Sequence, residues 1–176
     1  MKVLFPYQGH AKDAVVEALE QRLPAALVVM ATGLGKTVVA SSFVQWWVRK
    51  KKSPILFLVH LWEAVGQAEK EFREMLGFDA KFQFLAGNER LDRDAQVVFS
   101  TFQTMHNRYR SMERHAFGLI VVDECHRSKA NTYEPIVEYF RPEFKLAMTA
   151  TEERMDGRDI RELFGNPVYE YPLAKA

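Results

Sequence analysis

Cysteine is almost absent: Cys125 is the only one in 176 residues, which excludes an internal disulfide framework and fits a reducing compartment. Surplus charge is nearly absent too. The 24 Lys and Arg stand against 23 Asp and Glu, so there is no global basic field, and any nucleic-acid contact must come from a local patch. No apolar run approaches the roughly 20 residues needed to span a bilayer, and the apolar stretch over residues 1–5 is too short for a signal peptide. The expectation is a cytoplasmic protein. There is no internal repeat, low-complexity segment or internal domain boundary. What is present is 48% hydrophobic and 27% charged residues, ordinary for a soluble globular chain. The length suits one domain with a full core.

One stretch organises the rest. Ala31-Thr32-Gly33-Leu34-Gly35-Lys36-Thr37 follows the apolar run 25–30 and precedes the amphipathic run 38–48. A strand, a Gly-rich turn and a helix form the context that a phosphate-binding loop requires. Gly33 and Gly35 let the backbone take conformations a Cβ would penalise, so its N–H groups can turn inward around phosphate oxygens. The following helix adds its positive end. Lys36 would reach the β- and γ-phosphates, and the Thr37 hydroxyl would ligate Mg²⁺. The strict pattern GxxxxGK[ST] is not met, because Met30 stands where its first Gly belongs.

Around this loop the chain alternates strand and helix, which predicts an α/β fold with a mostly parallel sheet. Helices are expected over 10–23, 38–52, 61–76 and 133–140, with Pro135 in the first turn of the last. Strands are expected over 25–30, 55–60, 81–85, 96–100, 119–122, 144–148 and 168–171. The second anchor is Asp123-Glu124, two carboxylates closing the apolar run Leu119-Ile120-Val121-Val122. Ligands of an open parallel sheet sit at the carboxyl ends of its strands, so Asp123 can approach the phosphate loop. There it would hold Mg²⁺ through water, while Glu124 would orient and deprotonate an attacking water.

Other residues have two readings each. The Gln8 amide could read an adenine edge or be a solvated side chain near a helix end. Arg49-Lys50-Lys51-Lys52 could meet nucleic acid, or simply complement the dipole of a helix C-terminus. Arg108, Arg110 and Arg114, interleaved with His106 and Tyr109, could cradle a nucleic-acid backbone or form an exposed mixed surface. Thr149 and Thr151 could bond to the acidic pair or to a local turn. His60, His106 and His115 lack metal-ligand spacing.

Taken together, the motifs resemble the superfamily 2 helicases and translocases, and within them the DEAH-like branch. Phe5-Pro6-Tyr7-Gln8 resembles that family's N-terminal glutamine motif, which implies that Gln8 recognises adenine. Residues 31–37 resemble motif I, which implies ATP bound by Gln8, Thr32, Gly33, Leu34, Gly35, Lys36 and Thr37, with Mg²⁺ at Thr37 and Asp123. Residues 58–67 are similar to motif Ia and 100–105 to motif Ib, which implies nucleic-acid contacts at Thr101, Gln103 and Thr104. Asp123-Glu124-Cys125-His126 is a DExH box, and Thr149-Ala150-Thr151 matches motif III. The implied catalytic set is Lys36, Asp123, Glu124, His126, Thr149 and Thr151. The implied fold is a three-layer RecA-like P-loop NTPase domain. Residues 149–165 are most similar to the motor subunits of type I and type III restriction enzymes.

Two departures stand out: Leu61, where the family commonly has a basic residue, and Glu152, where it commonly has proline after the TAT. Motors of this family close two RecA-like domains over ATP, and the second supplies an arginine finger. Residues 1–176 have room for the first alone, so the expectation is a single domain that hydrolyses ATP weakly until a second RecA-like domain completes it. Arg154 and Arg158 are the nearest candidates for a finger within the chain. Nucleic acid is the expected partner, DNA favoured over RNA. The competing readings are a non-hydrolysing, ATP-gated module that docks to a partner chain, and a small-molecule kinase, which leaves residues 123–126 and 149–151 unexplained.

Overall fold

The computed structural model describes residues 3–51, 53–124, 130–150 and 160–172. Its strands are the stretches of continuous apolar sequence. These are β1 (Ala25–Met30), β2 (Ile55–Val59), β3 (Phe82–Leu85), β4 (Val97–Thr101), β5 (Leu119–Asp123), β6 (Phe144–Thr149) and β7 (Pro167–Tyr171). They form one sheet in the order β3-β4-β2-β5-β6-β1-β7. Every pairing among the described residues is parallel. Parallel strands need helical crossovers, and these cover both faces.

Alternate residues of each strand feed two separate cores. Val28 and Met30 of β1, Phe57 of β2, Val121 of β5 and Leu146 of β6 pack on one face with α1 (Pro6–Glu20), α2 (Lys36–Lys50) and α3 (Trp62–Leu76). Leu27, Leu58, Val122 and Ala147 point the other way, toward α4 (Phe102–His106), α5 (Ala130–Tyr139) and α6 (Arg161–Phe164). The result is a three-layer α/β/α domain of RecA-like architecture. Among the described residues, no helix is long and apolar enough to cross a membrane.

Several helices differ from the sequence expectation, and three of the differences have a local cause. The first helix begins at Pro6, not residue 10, because Gln8 reaches back to the Phe5 backbone N–H, 3.1 Å away, and caps the first turn. A short helix, α4, follows β4. The Thr101 side chain accepts a hydrogen bond from the Thr104 backbone N–H at 3.2 Å, the signature of an N-cap. Pro135 is not in the first turn of its helix. That helix starts at Ala130, so Pro135 lies inside it, where proline removes one backbone hydrogen bond.

The order of the strands positions the site. The phosphate loop leaves β1 and the acidic pair leaves β5, with β6 lying between them. Register brings the ends level: Val29 is opposite Thr149, and Asp123 is opposite Met148.

Candidate nucleotide site

At the carboxyl end of β1 the chain turns through Gly33 and Gly35, with φ of 87° and 79°. In this left-handed region a Cβ is costly. Gly35 is also the N-cap of α2. Its place is crowded: an added Cβ would stand 2.5 Å from Gln8 Nε2, whereas at Gly33 nothing lies within 4 Å. The buried Gln8 amide accepts from the Phe5 N–H and donates to the Leu34 carbonyl at 3.1 Å. The glutamine thus braces the loop against the start of α1.

Lys36 is only 4% exposed. Its Nζ lies 3.0 Å from Glu124 Oε1 and donates to the Met30 carbonyl at 3.3 Å. The Thr37 hydroxyl donates to Asp123 Oδ2 at 3.1 Å. Loop and acidic pair, far apart in sequence, therefore meet through two direct side-chain contacts. Glu124 leaves the strand with φ of 54°, a left-handed conformation rare outside glycine and common at functional sites. Its N–H donates to the Met148 carbonyl at 2.9 Å, which ties the turn to β6.

Burial pushes the Asp123 carboxyl up to about 6, with repulsion from Glu124 adding to the rise. The Thr37 hydrogen bond and the Lys36 charge offset part of it. Among the described residues, Asp123 Oδ1 is buried with no hydrogen-bond partner. A buried carboxylate oxygen left without a donor beside a threonine hydroxyl fits an oxygen-ligated divalent cation such as Mg²⁺.

A cavity of about 470 Å³ opens beside the loop, lined by Gly33, Gly35, Lys36, Thr37 and Glu124 and closed on its far side by α3. From α3 come Gln67, Lys70 and Glu71, which the sequence reading did not assign to this cavity. Their spacing of three and four residues on one helix face was the signal available. Thr32 is exposed at the loop's outer turn, and Thr149 is buried at the end of β6. His126 and Thr151 lie outside the described residues, as do Glu152, Arg154 and Arg158.

The expected nucleic-acid residues fall into two groups. The Thr101 hydroxyl donates to Thr104 Oγ1 at 3.0 Å as part of the α4 cap, while the exposed Gln103 amide makes one contact, to Asn107 at 3.3 Å. The arginines farther on are engaged within the chain. Arg108 donates to the Gly87 and Glu89 carbonyls, Arg110 lies over the Tyr109 ring, and Arg114 over the Tyr139 ring. Leu61 is 55% exposed at the end of β2.

Comparison with known proteins gives a consistent set. The family model described as "Type III restriction enzyme, res subunit" matches residues 1–154. The chain is 31% identical over 180 residues to the putative ATP-dependent helicase IRC3 of Saccharomyces cerevisiae, covering 95% of this chain and 26% of that protein. It is similar to the fragment structure of a putative HsdR subunit of a type I restriction enzyme from Vibrio vulnificus YJ016. That match has 32% identity and a TM-score of 0.74, over 97% of this chain and 30% of the other. The SWI2/SNF2 ATPase core of Sulfolobus solfataricus, at 18% identity and a TM-score of 0.74 over 89% of this chain and 34% of that one, shares the fold. The chain thus spans about a quarter to a third of these three proteins.

Proposed function

We propose, on the premise that this chain belongs to the type III restriction enzyme res-subunit family of helicase- and translocase-type motor domains, that it is the first RecA-like domain of an ATP-driven motor acting on DNA. The observation that carries the reading is the pair of contacts joining the loop to the acidic residues: Lys36 to Glu124 at 3.0 Å and Thr37 to Asp123 at 3.1 Å. Phosphate, metal and water would have to meet there.

In this reading the phosphates of ATP lie against the N–H groups of residues 33–37 and the start of α2. Thr37 and Asp123 would hold Mg²⁺, which would supply positive charge against the β- and γ-phosphates. Lys36 exchanges its contact with Glu124 for phosphate oxygens. That exchange releases the Glu124 carboxylate to accept a proton from the attacking water. The water oxygen bonds to the γ-phosphorus as the bond to the β–γ bridging oxygen breaks, giving ADP and inorganic phosphate. Gln8 holds the loop through Leu34 and turns its remaining N–H toward the base. His126, Thr149 and Thr151 relay the state of the γ-phosphate to the DNA path, where Thr101, Gln103 and Thr104 stand. DNA is favoured because the similar proteins include a restriction-enzyme subunit and an ATPase core solved with duplex DNA.

A second RecA-like domain, in the parent chain or a partner subunit, supplies the arginine that completes the site. Its absence costs about 10³–10⁵ in rate, so residues 1–176 alone bind MgATP and turn it over weakly. MgATP turnover with and without duplex DNA, against Lys36→Ala as the blank, tests this. The expected result is nucleotide binding with turnover at or just above the blank. Fast, DNA-raised turnover would overturn the need for a second domain. No nucleotide binding at all would overturn the reading itself.

A further inference from the structure

The loop-bearing helix carries a second pattern that the nucleotide reading leaves unused. Ser42, Gln45, Trp46, Arg49 and Lys50 follow the spacing i, i+3, i+4, i+7, i+8, so they form one stripe along α2. The stripe borders a cavity of about 360 Å³ between α1 and α3, to which α1 adds Lys12. Leu4 and Met75 give the cavity an apolar boundary. Among the described residues, no acidic one lines it. Lys12 is paired with Asp13 at 2.8 Å, but Arg49 and Lys50 are exposed, and neither has an acidic partner within 4 Å among the described residues.

Trp46 is half-buried and stacked on Phe43, with ring centroids 5.8 Å apart and an interplanar angle of 14°. Phe43 is fully buried, so the core holds the indole in place at the cavity wall. A helix C-terminus accounts for cations on its last turn. It does not account for a lysine from another helix at the same cavity, nor for an aromatic ring lining it. Arg49 and Lys50 lie 13 and 14 residues beyond Lys36, roughly 20 Å along the helix, so this surface is separate from the nucleotide cavity.

We propose that this cavity is a second binding surface, for single-stranded nucleic acid. The phosphates lie on Arg49, Lys50 and Lys12, and one unpaired base stacks at Trp46. Cations along a groove with an aromatic platform are the means by which proteins hold single strands without reading sequence. The stripe is about 12 Å long from Ser42 to Lys50, enough for more than one nucleotide at about 3.4 Å per strand step. The proposal goes beyond the motor reading and does not depend on it.

The test is fluorescence anisotropy of a labelled oligo(dT) with this chain, in the absence of nucleotide, over a range of salt. The Arg49→Glu/Lys50→Glu variant should bind at least tenfold more weakly. Its dependence of log affinity on log salt should be shallower by about 1.4, since each lost single-strand phosphate contact removes about 0.7. Trp46→Leu should weaken binding several-fold and Trp46→Phe should restore it, with MgATP binding and melting temperature unchanged in each. An unchanged affinity and salt slope in the charge-reversed variant would overturn the proposal. So would wild-type binding by Trp46→Leu together with displacement of the oligomer by inorganic polyphosphate at equal charge. Should charge reversal prevent folding, the wild-type chain decides: oligo(dT) must quench indole fluorescence, and Trp46→Phe must abolish that quench.

Discussion

Asp123 illustrates how a single buried carboxyl sets stability against function. Its pKa stands at about 6 against an ordinary 3.8. Between those values the folded chain holds more protons than the unfolded one, so stability falls as pH rises through that window. Above it the full cost is in force, about 3 kcal/mol at most. Asp123→Asn keeps an acceptor for the Thr37 hydroxyl and removes the charge. Urea denaturation should therefore show the variant more stable than wild type at pH 7.5 by up to about 3 kcal/mol, with about half that gain at pH 5, while turnover is lost. A variant less stable at pH 7.5 would mean that the carboxylate is a net stabiliser. The two loop glycines make a sharper comparison. Gly33→Ala should cost about 1–2 kcal/mol, because only its backbone conformation is opposed. Gly35→Ala should cost at least 1 kcal/mol more, because its methyl would displace Gln8, and Gln8→Ala in the same chain should recover that difference. Equal costs would dismiss the brace. The glycines, Lys36 and Thr37 were legible in the sequence because their geometry is local. The part Gln8 plays was not, since its loop partner, the Leu34 carbonyl, lies 26 residues away.

Among the elements, the central strands were the most legible, because a strand buried on both faces reads as an unbroken apolar run. The helix ends were least so. The first turn of α1 depends on Gln8 reaching the Phe5 N–H, α4 on one threonine cap, and neither leaves an apolar period. Which elements lean on one another is also invisible in a linear reading. Phe99 of β4 contacts the rings of Phe57, Phe72, Phe82 and Phe84, from β2, α3 and β3, at centroid distances of 5.2–5.6 Å. It is fully buried, whereas β3 is an edge strand with three of its four residues only half-buried. Phe99→Ala should therefore cost about 3–5 kcal/mol. Amide exchange should quicken in β3 and α3 well before β1, which lies four strands away from β4 in the sheet order. A uniform rise across the sheet would mean that the aromatic cluster is part of one cooperative core and not the support of its edge.

For the whole molecule, the decisive quantity is what a second domain adds. On the proposed reading, the described residues bring together a phosphate loop, a metal-binding carboxylate and a general base, and the cavity beside them is lined by the loop, α2, Glu124 and α3. Among its described lining residues there is no arginine; Lys36 and Lys70 are the cations among them. Charge developing on the transferred phosphoryl group is stabilised in related NTPases by an arginine from outside the loop, worth about 10³–10⁵ in rate. Joining this chain to a second RecA-like domain should therefore raise kcat for MgATP by that order while changing nucleotide affinity far less, since the arginine acts on the transition state and not on the bound ground state. The measurement is single-turnover hydrolysis by the chain alone and by the two-domain protein, each with mant-ATP affinity determined separately. A gain confined to affinity would show that the second domain merely closes over the nucleotide. A gain confined to kcat, lost again when the incoming arginine is replaced by lysine, would place the missing charge at the transition state, because a compact ammonium cannot reproduce the planar fork that meets phosphate oxygens in pairs.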